Sequence, residues 1–95
     1  MDLTTMYDFE DLTNEAERLV IEELGRQLEE RGERACQSDD CVLDMAAYAL
    51  NKVRPMYRVN LLGRLYADTL MEEYGEEIRR AVTQAIDKIS SDYAR

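Results

Sequence analysis

Apolar residues recur at intervals of three or four along most of this chain, and no other feature of the sequence constrains the fold as much. The pattern is clearest near the start, where Ala16, Val20 and Leu24 are spaced evenly and charged or polar residues occupy most positions between them. Because this interval returns to the same face of an α-helix, the segment predicts an amphipathic helix that begins at Asn14 and ends near Gly32.

The second predicted helix runs from Cys41 to about Val53, after an N-cap at Asp39 or Asp40. Its residues are apolar nearly all round rather than along one stripe. A helix of this kind is typical of the buried centre of a bundle or of a dimer. Pro55 prevents the helix from continuing further.

Two more helices are predicted in the second half of the chain. The third covers Leu61 to Glu73, Gly75 breaks or bends it, and the last runs from about Glu76 to Tyr93. The sequence therefore predicts an all-α fold, a compact bundle of about four helices over residues 13–95. A flexible acidic arm over residues 1–12 precedes it.

Size and charge narrow the classes of function. A domain of 95 residues buries only roughly 60–65% of its unfolded surface, so a lone monomer is marginal and a homodimer is expected. The net charge of −9 repels nucleic acid and anionic membranes, so neither is an expected partner. The first residues do not resemble a signal peptide, and no apolar run approaches the roughly 18 residues of a membrane span, which favours a cytoplasmic protein.

The charges are unevenly distributed. Residues 45–67, called here the basic island, contain no acid and four basic residues: Lys52, Arg54, Arg58 and Arg64. An arginine fork matches phosphate oxygens or the edge of guanine, and an aromatic ring stacks on a base. The pattern predicts an anion or nucleotide site, with these candidate ligand-binding residues: Asp44, Asn51, Lys52, Arg54, Tyr57, Arg58, Asn60 and Arg64.

Ion pairing is an equally good explanation of the basic island. Basic residues favour helix C-termini, and the four cations have many acids to pair with, such as Glu72, Glu73 or the acidic arm. Asp44, in the first turn of the second helix, either caps that helix or pairs with an arginine of the island.

Catalysis and metal binding have little support in the sequence. There is no histidine, no nucleophile elbow and no phosphate-binding glycine loop, so an enzyme is not expected. Cys36 and Cys41 provide at most half of a structural zinc site. We expect two ordinary thiols, with Cys41 packed at a helix start and zinc unlikely, although a redox pair is a third interpretation.

Four segments, over about residues 14–90, resemble the family of the late competence development protein ComFB. Three of them are the helix opening at Asn14-Glu15 and running through Leu24, the helix Cys41-Val42-Leu43-Asp44 through Asn51, and the turn Lys52-Val53-Arg54-Pro55-Met56-Tyr57. The fourth is the last helix, which is similar in its pattern only. The resemblance implies a helical homodimer without catalytic activity. Similar members are receptors for the second messenger cyclic di-GMP, and cysteine-rich members bind zinc.

The resemblance and the basic island together predict a cyclic di-GMP receptor that needs no cofactor and signals through its dimer to an unidentified protein. The alternative is a structural or protein-interaction dimer without a nucleotide ligand. Guanine specificity is implied by the resemblance alone, and the residues of the island are equally compatible with cyclic di-AMP.

Overall fold

Three mutually packed helices form the core of the chain in the computed structural model, which describes residues 1–59 and 67–94. In chain order the helices are α1 (Leu3–Met6), α2 (Glu15–Arg31), α3 (Asp39–Leu50) and α4 (Ala67–Tyr93). The predicted all-α bundle of about four helices is confirmed, with one small two-stranded sheet beside it. No helix among the described residues is long and apolar enough to cross a membrane.

Helix α2 begins and ends where the apolar spacing predicts. Asn14 is its N-cap, and the Asn14 side-chain oxygen accepts from the backbone N–H of Ala16 at 3.1 Å. The helix ends at Gly32, whose φ of 58° suits a residue without a Cβ. The predicted apolar face is buried: Ala16, Val20, Leu24 and Leu28 all lie in the core.

A short sheet fixes the turn after α3 against the start of α2. Strand β1 (Thr13–Asn14) pairs antiparallel with strand β2 (Tyr57–Arg58). The Asn14 side chain also accepts from the backbone N–H of Met56 at 2.8 Å. The N-terminus of α2 and residues 56–58 of the basic island are therefore held side by side.

The predicted cap of α3 was wrong by one residue. Ser38 is the N-cap, and its hydroxyl accepts from the backbone N–H of Cys41 at 3.3 Å. Asp39 and Asp40 lie in the first turn, where their negative charge favours the helix N-terminus without capping it.

The burial of α3 also differs from the prediction. Cys41, Met45 and Ala49 are buried on one stripe, but Leu43 is 68% exposed and Ala47 is exposed as well. Helices α2 and α4 both contact α3 and bury that stripe, and the flanking Val42, Ala46, Tyr48 and Leu50 are only partly buried. Within a single chain α3 is therefore not a helix surrounded on all sides.

Helix α4 is continuous from Ala67 to Tyr93, so of the two predicted alternatives at Gly75 the break was wrong, and the bend stays a prediction. A glycine inside a helix costs about 1 kcal/mol relative to alanine, which is less than one fully buried aliphatic side chain contributes. Ile78 and Ile86 are both fully buried on this helix and outweigh that cost. The predicted start of the third helix at Leu61 lies outside the described residues.

The cysteines are paired, which corrects the expectation of two free thiols. Cys36 and Cys41 form a disulfide, and their Cα atoms are 6.2 Å apart. The chain turns at the Ser38 cap, and this turn brings Cys36 back over the first turn of α3. In the described ranges no group of three or more His, Cys, Asp or Glu side chains is placed to hold a metal ion.

The acidic arm carries local structure. It contains α1 and a 3₁₀ turn at Phe9–Asp11, and every residue from 1 to 12 is exposed. Its division from residues 13–95 stays a prediction.

Candidate functional site

A cleft of about 290 Å³ lies between the turn after α3, strand β2 and the first turns of α4. We call it the turn cleft. Arg54, Tyr57 and Arg58, three of the residues predicted from sequence, line it together. Its other walls are Glu15, Pro55, Met56, Leu70 and Tyr74.

Arg54 is held against α4 by one acid and one ring. Its Nε and Nη2 donate to the two carboxylate oxygens of Glu77 at 3.2 and 3.1 Å. The guanidinium lies 4.4 Å from the ring centroid of Tyr74. The hydrogen bond from Arg54 lowers the pKa of the Glu77 carboxyl and raises that of Arg54, so the pair is ionised at neutral pH. The Arg54 side chain nevertheless remains 56% exposed.

Arg58 is held more deeply. Its Nε donates to the Glu15 carboxylate, which also accepts from Arg18 Nε at 3.0 Å. The Glu15 side chain is only 4% exposed, and that of Arg58 is 21% exposed. Burial raises the pKa of the Glu15 carboxyl, but hydrogen bonds and charge from Arg58 and Arg18 outweigh burial, so the pKa lies below its ordinary value.

Tyr57 gives the cleft an exposed aromatic ring. Its backbone belongs to β2, which pairs it with Asn14, and 63% of the residue is exposed. The small sheet therefore fixes the Tyr57 backbone at a position where its ring meets solvent.

The remaining described candidates do not line the turn cleft. The Asn51 amide donates to the Ala47 carbonyl at 3.0 Å, and the Lys52 ammonium lies 5.4 Å from the Tyr48 ring. Asp44 lies further away, about 10 Å before Asn51 along α3 at 1.5 Å per residue. Asn60 and Arg64 lie outside the described residues.

Asp44 makes a separate contact at the far end of α4. It accepts a hydrogen bond from the hydroxyl of Tyr93, and this bond raises the pKa of Tyr93 to about 12. Neither of the two sequence-based roles, a cap or an arginine pair, describes this contact. Ser38 caps α3 in its place.

Sequence analysis missed Glu15, Tyr74 and Glu77. Glu15 and Glu77 are the acids that pair with Arg58 and Arg54. The ion-pair interpretation is therefore confirmed for these two arginines, although the acids differ from those proposed. Helical spacing places these three residues on α2 and α4, but it does not indicate which face meets the basic island.

Comparison with known proteins gives the family. Among curated proteins none matches this chain. The model of the family described as late competence development protein ComFB matches residues 13–93, which cover α2, α3, the turn cleft and all of α4. This chain therefore belongs to the ComFB family.

Proposed function

We propose that this chain is a non-enzymatic cytoplasmic receptor for cyclic di-GMP, acting as a homodimer that signals to a protein partner. The observation that carries the proposal is the convergence of Arg54, Tyr57 and Arg58 with Tyr74 on one cleft. Membership of the ComFB family supports the same ligand through the resemblance described above.

The two arginines suit the phosphates of the ligand. Arg54 and its partner Glu77 are both partly exposed, at 56% and 33% of their side chains, so a phosphate can take the place of the carboxylate at small cost. Arg58 uses Nε for Glu15 and keeps further N–H donors for an anion. Phosphate binding by arginine is strong because both partners are charged and the geometry allows two hydrogen bonds.

The rings suit the guanine bases. Arg54 already stacks on Tyr74, and Tyr57 offers a second exposed ring on the same cleft. A carboxylate that accepts from the guanine N1–H and N2–H groups would give specificity. Glu77 becomes available for this role when a phosphate takes Arg54, whereas Asp44 is bonded to Tyr93 away from the cleft.

The homodimer is supported by the uncovered side of α3. Leu43 is 68% exposed on a helix whose opposite stripe is fully buried. A second copy of α3 would cover this side and add to the limited core of a small domain. Light scattering should give twice the chain mass, and Leu43→Glu should shift it to the monomer.

The first test is calorimetric titration with cyclic di-GMP, with cyclic di-AMP and GMP as controls. We expect selective binding at micromolar affinity or tighter, about −8 kcal/mol or better. Glu77→Gln should reduce the preference for cyclic di-GMP over cyclic di-AMP. Folded protein that gives no heat with any of the three nucleotides would contradict the proposal.

Tyr57→Ala tests the site itself. Tyr57 is 63% exposed, so its removal should weaken cyclic di-GMP binding without unfolding the chain. Tyr7→Ala, at a tyrosine of the arm with 61% exposure that does not line the turn cleft, is the matched control. Arg58→Glu is a poorer test because it would leave the buried Glu15 facing a second negative charge.

A protein-interaction dimer without a nucleotide ligand is the second candidate. It is favoured by the existing ion pairs of Arg54 and Arg58, which satisfy both arginines without a ligand. A chain that is dimeric by light scattering and gives no heat in the nucleotide titrations would favour this second candidate.

A further inference from the structure

A second and larger cleft, of about 440 Å³, lies between the C-terminal half of α2 and the middle of α4. We call it the arginine cleft. It shares no residue with the turn cleft, and every side chain that lines it is polar or charged. Four of its lining residues are arginines, in a chain whose net charge is −9: Arg26, Arg31, Arg34 and Arg79. The one acid in the lining, Glu30, accepts from Arg26 Nη1 at 3.1 Å, and its side chain is 68% exposed.

The floor of the arginine cleft is a fixed polar network. Gln27 is 6% exposed, and its amide donates to Glu23 Oε2 at 2.7 Å and to the Arg79 carbonyl at 3.1 Å. The Gln27 carbonyl accepts from the Thr83 hydroxyl at 2.9 Å. These bonds join α2 to α4 and hold the two walls of the cleft at a set separation.

One arginine is firmly anchored. Arg26 donates through Nε and Nη2 to the two oxygens of Glu23, at 2.9 and 2.7 Å, and Glu23 is only 6% exposed. The hydrogen bonds from Arg26 are the main cause of a pKa of Glu23 below its ordinary value, so the acid stays charged.

The other three arginines are held weakly. Arg31 pairs with Asp87 and Arg79 pairs with Glu76, and both acids are mostly exposed, at 62% and 78%. Arg34 donates to the carbonyl of Arg31 at 3.2 Å and makes no ion pair with any described residue. Exposed pairs contribute little, so an anion with several charges can displace these carboxylates.

We propose that the arginine cleft binds a diphosphate group. Phosphate oxygens accept paired hydrogen bonds from guanidinium forks, and four guanidiniums on two walls suit two phosphoryl groups rather than one. None of the residues that line the cleft is aromatic, which argues that the cleft recognises the phosphates and not a base. The group is supplied either by free pyrophosphate or by a nucleoside di- or triphosphate.

The test is calorimetric titration of the full chain with pyrophosphate, with inorganic phosphate, ATP and GTP as further arms. Pyrophosphate should bind saturably and at least about tenfold more tightly than phosphate. Equal affinities for pyrophosphate, ATP and GTP would assign recognition to the diphosphate alone. Tighter binding of the nucleotides would identify them as the source of the group.

Arg34→Glu should weaken pyrophosphate binding by about tenfold or more, because it reverses a charge that none of the described acids neutralises. Arg80→Glu is the matched control: Arg80 is exposed, follows Arg79 on α4 and does not line the cleft. If both variants weakened pyrophosphate binding equally, the change in net charge would explain the effect, and the proposed site would be overturned. Pyrophosphate that binds no better than phosphate would also overturn it.

Cyclic di-GMP titrations separate this inference from the function proposed for the turn cleft. Arg34→Glu should leave cyclic di-GMP affinity unchanged, and Tyr57→Ala should leave pyrophosphate affinity unchanged. Loss of both ligands in Arg34→Glu, with melting unchanged, would overturn the inference of two separate sites.

Discussion

Arg58 of the turn cleft and Arg31 of the arginine cleft are both paired with a carboxylate, but the two ion pairs differ in the burial of the acid. Arg58 of the turn cleft pairs with Glu15, which is 4% exposed, whereas Arg31 of the arginine cleft pairs with Asp87, which is 62% exposed. A buried acid fixes the position of its arginine, which can still use its remaining N–H groups for a ligand. An exposed acid can itself be displaced by a ligand.

The walls of the two clefts differ as well. Leu70, Tyr74 and Tyr57 give the turn cleft apolar and aromatic walls, which suit a flat base. The arginine cleft is lined by charged and polar side chains over a floor of Gln27 and Thr83, which suits a strongly hydrated anion. We therefore expect the turn cleft to bind a ligand that carries a base, and the arginine cleft to bind a polyphosphate group without contacting a base.

The largest expected effect tests the difference in burial directly. Arg58→Gln should lower the free energy of unfolding by about 3 kcal/mol, because it leaves the Glu15 charge buried with only Arg18 beside it. Arg31→Gln, the matched variant of the other cleft, should cost less than about 1 kcal/mol. Urea denaturation measures the free energy of unfolding of both variants. Similar decreases would mean that burial of the acid does not distinguish the two ion pairs.

The pH dependence of stability should follow the buried acids. The pKa values of Glu15 and Glu23 lie below the ordinary 4.5, so near that pH the folded chain binds fewer protons than the unfolded chain. Their contribution to stability is present above pH 4.5 and is lost as the pH falls through the lower, folded values.

Thermal melting followed across this acidic range measures that loss. Glu15→Gln should flatten the decline in melting temperature. Glu29→Gln, at an exposed acid of α2 that makes no ion pair with any described residue, should leave the decline as it is. An identical decline in wild type and Glu15→Gln would assign the acid sensitivity to other groups.

Salt should separate the two binding events. The two proposals predict that charge alone holds pyrophosphate in the arginine cleft, whereas cyclic di-GMP in the turn cleft would also stack on Tyr57 and Tyr74. Raising the ionic strength from about 0.05 M to about 0.5 M should therefore weaken pyrophosphate binding several-fold more than cyclic di-GMP binding. Calorimetry at both salt concentrations measures the ratio, and equal weakening would contradict a role for stacking.

The sequence predicted the turn cleft in part because its arginines and Tyr57 lie close together in the chain. A local excess of positive charge is visible without any knowledge of the fold. The acids that pair with those arginines, Glu15 and Glu77, come from other helices, and only packing brings them to the cleft. The arginine cleft was missed entirely for the same reason. Its lining residues come from α2, from the turn that follows it and from α4, and in the sequence they look like ordinary polar positions on the surface.

The errors in the fold have local causes. The residues of α3 are apolar nearly all round, which predicted a helix buried on every side. Helices α2 and α4 bury one stripe of α3, and Leu43 on another side remains exposed. The two cysteines were predicted to be free thiols because a cytoplasmic chain was expected. The Ser38 cap, which turns the chain between them and brings them together, was not predicted. Gly75 was interpreted from its propensity, which is a weaker influence than the burial of the helix that carries it.

Gly75 also gives the smallest expected effect, and it tests how firmly Arg79 is held in the arginine cleft. A Cβ added at Gly75 would lie 3.1 Å from Arg79 Nη1, the far end of a flexible side chain, so only a small shift of that side chain is needed. Gly75→Ala should therefore raise the free energy of unfolding by about 0.5–1 kcal/mol through helix propensity. Gly25→Ala, on α2 with nothing within 4 Å of its added Cβ, is the control and should give a similar gain. Urea denaturation compares the two variants, and a loss at Gly75 alone would mean that Arg79 cannot move, which would make it a fixed wall of the arginine cleft.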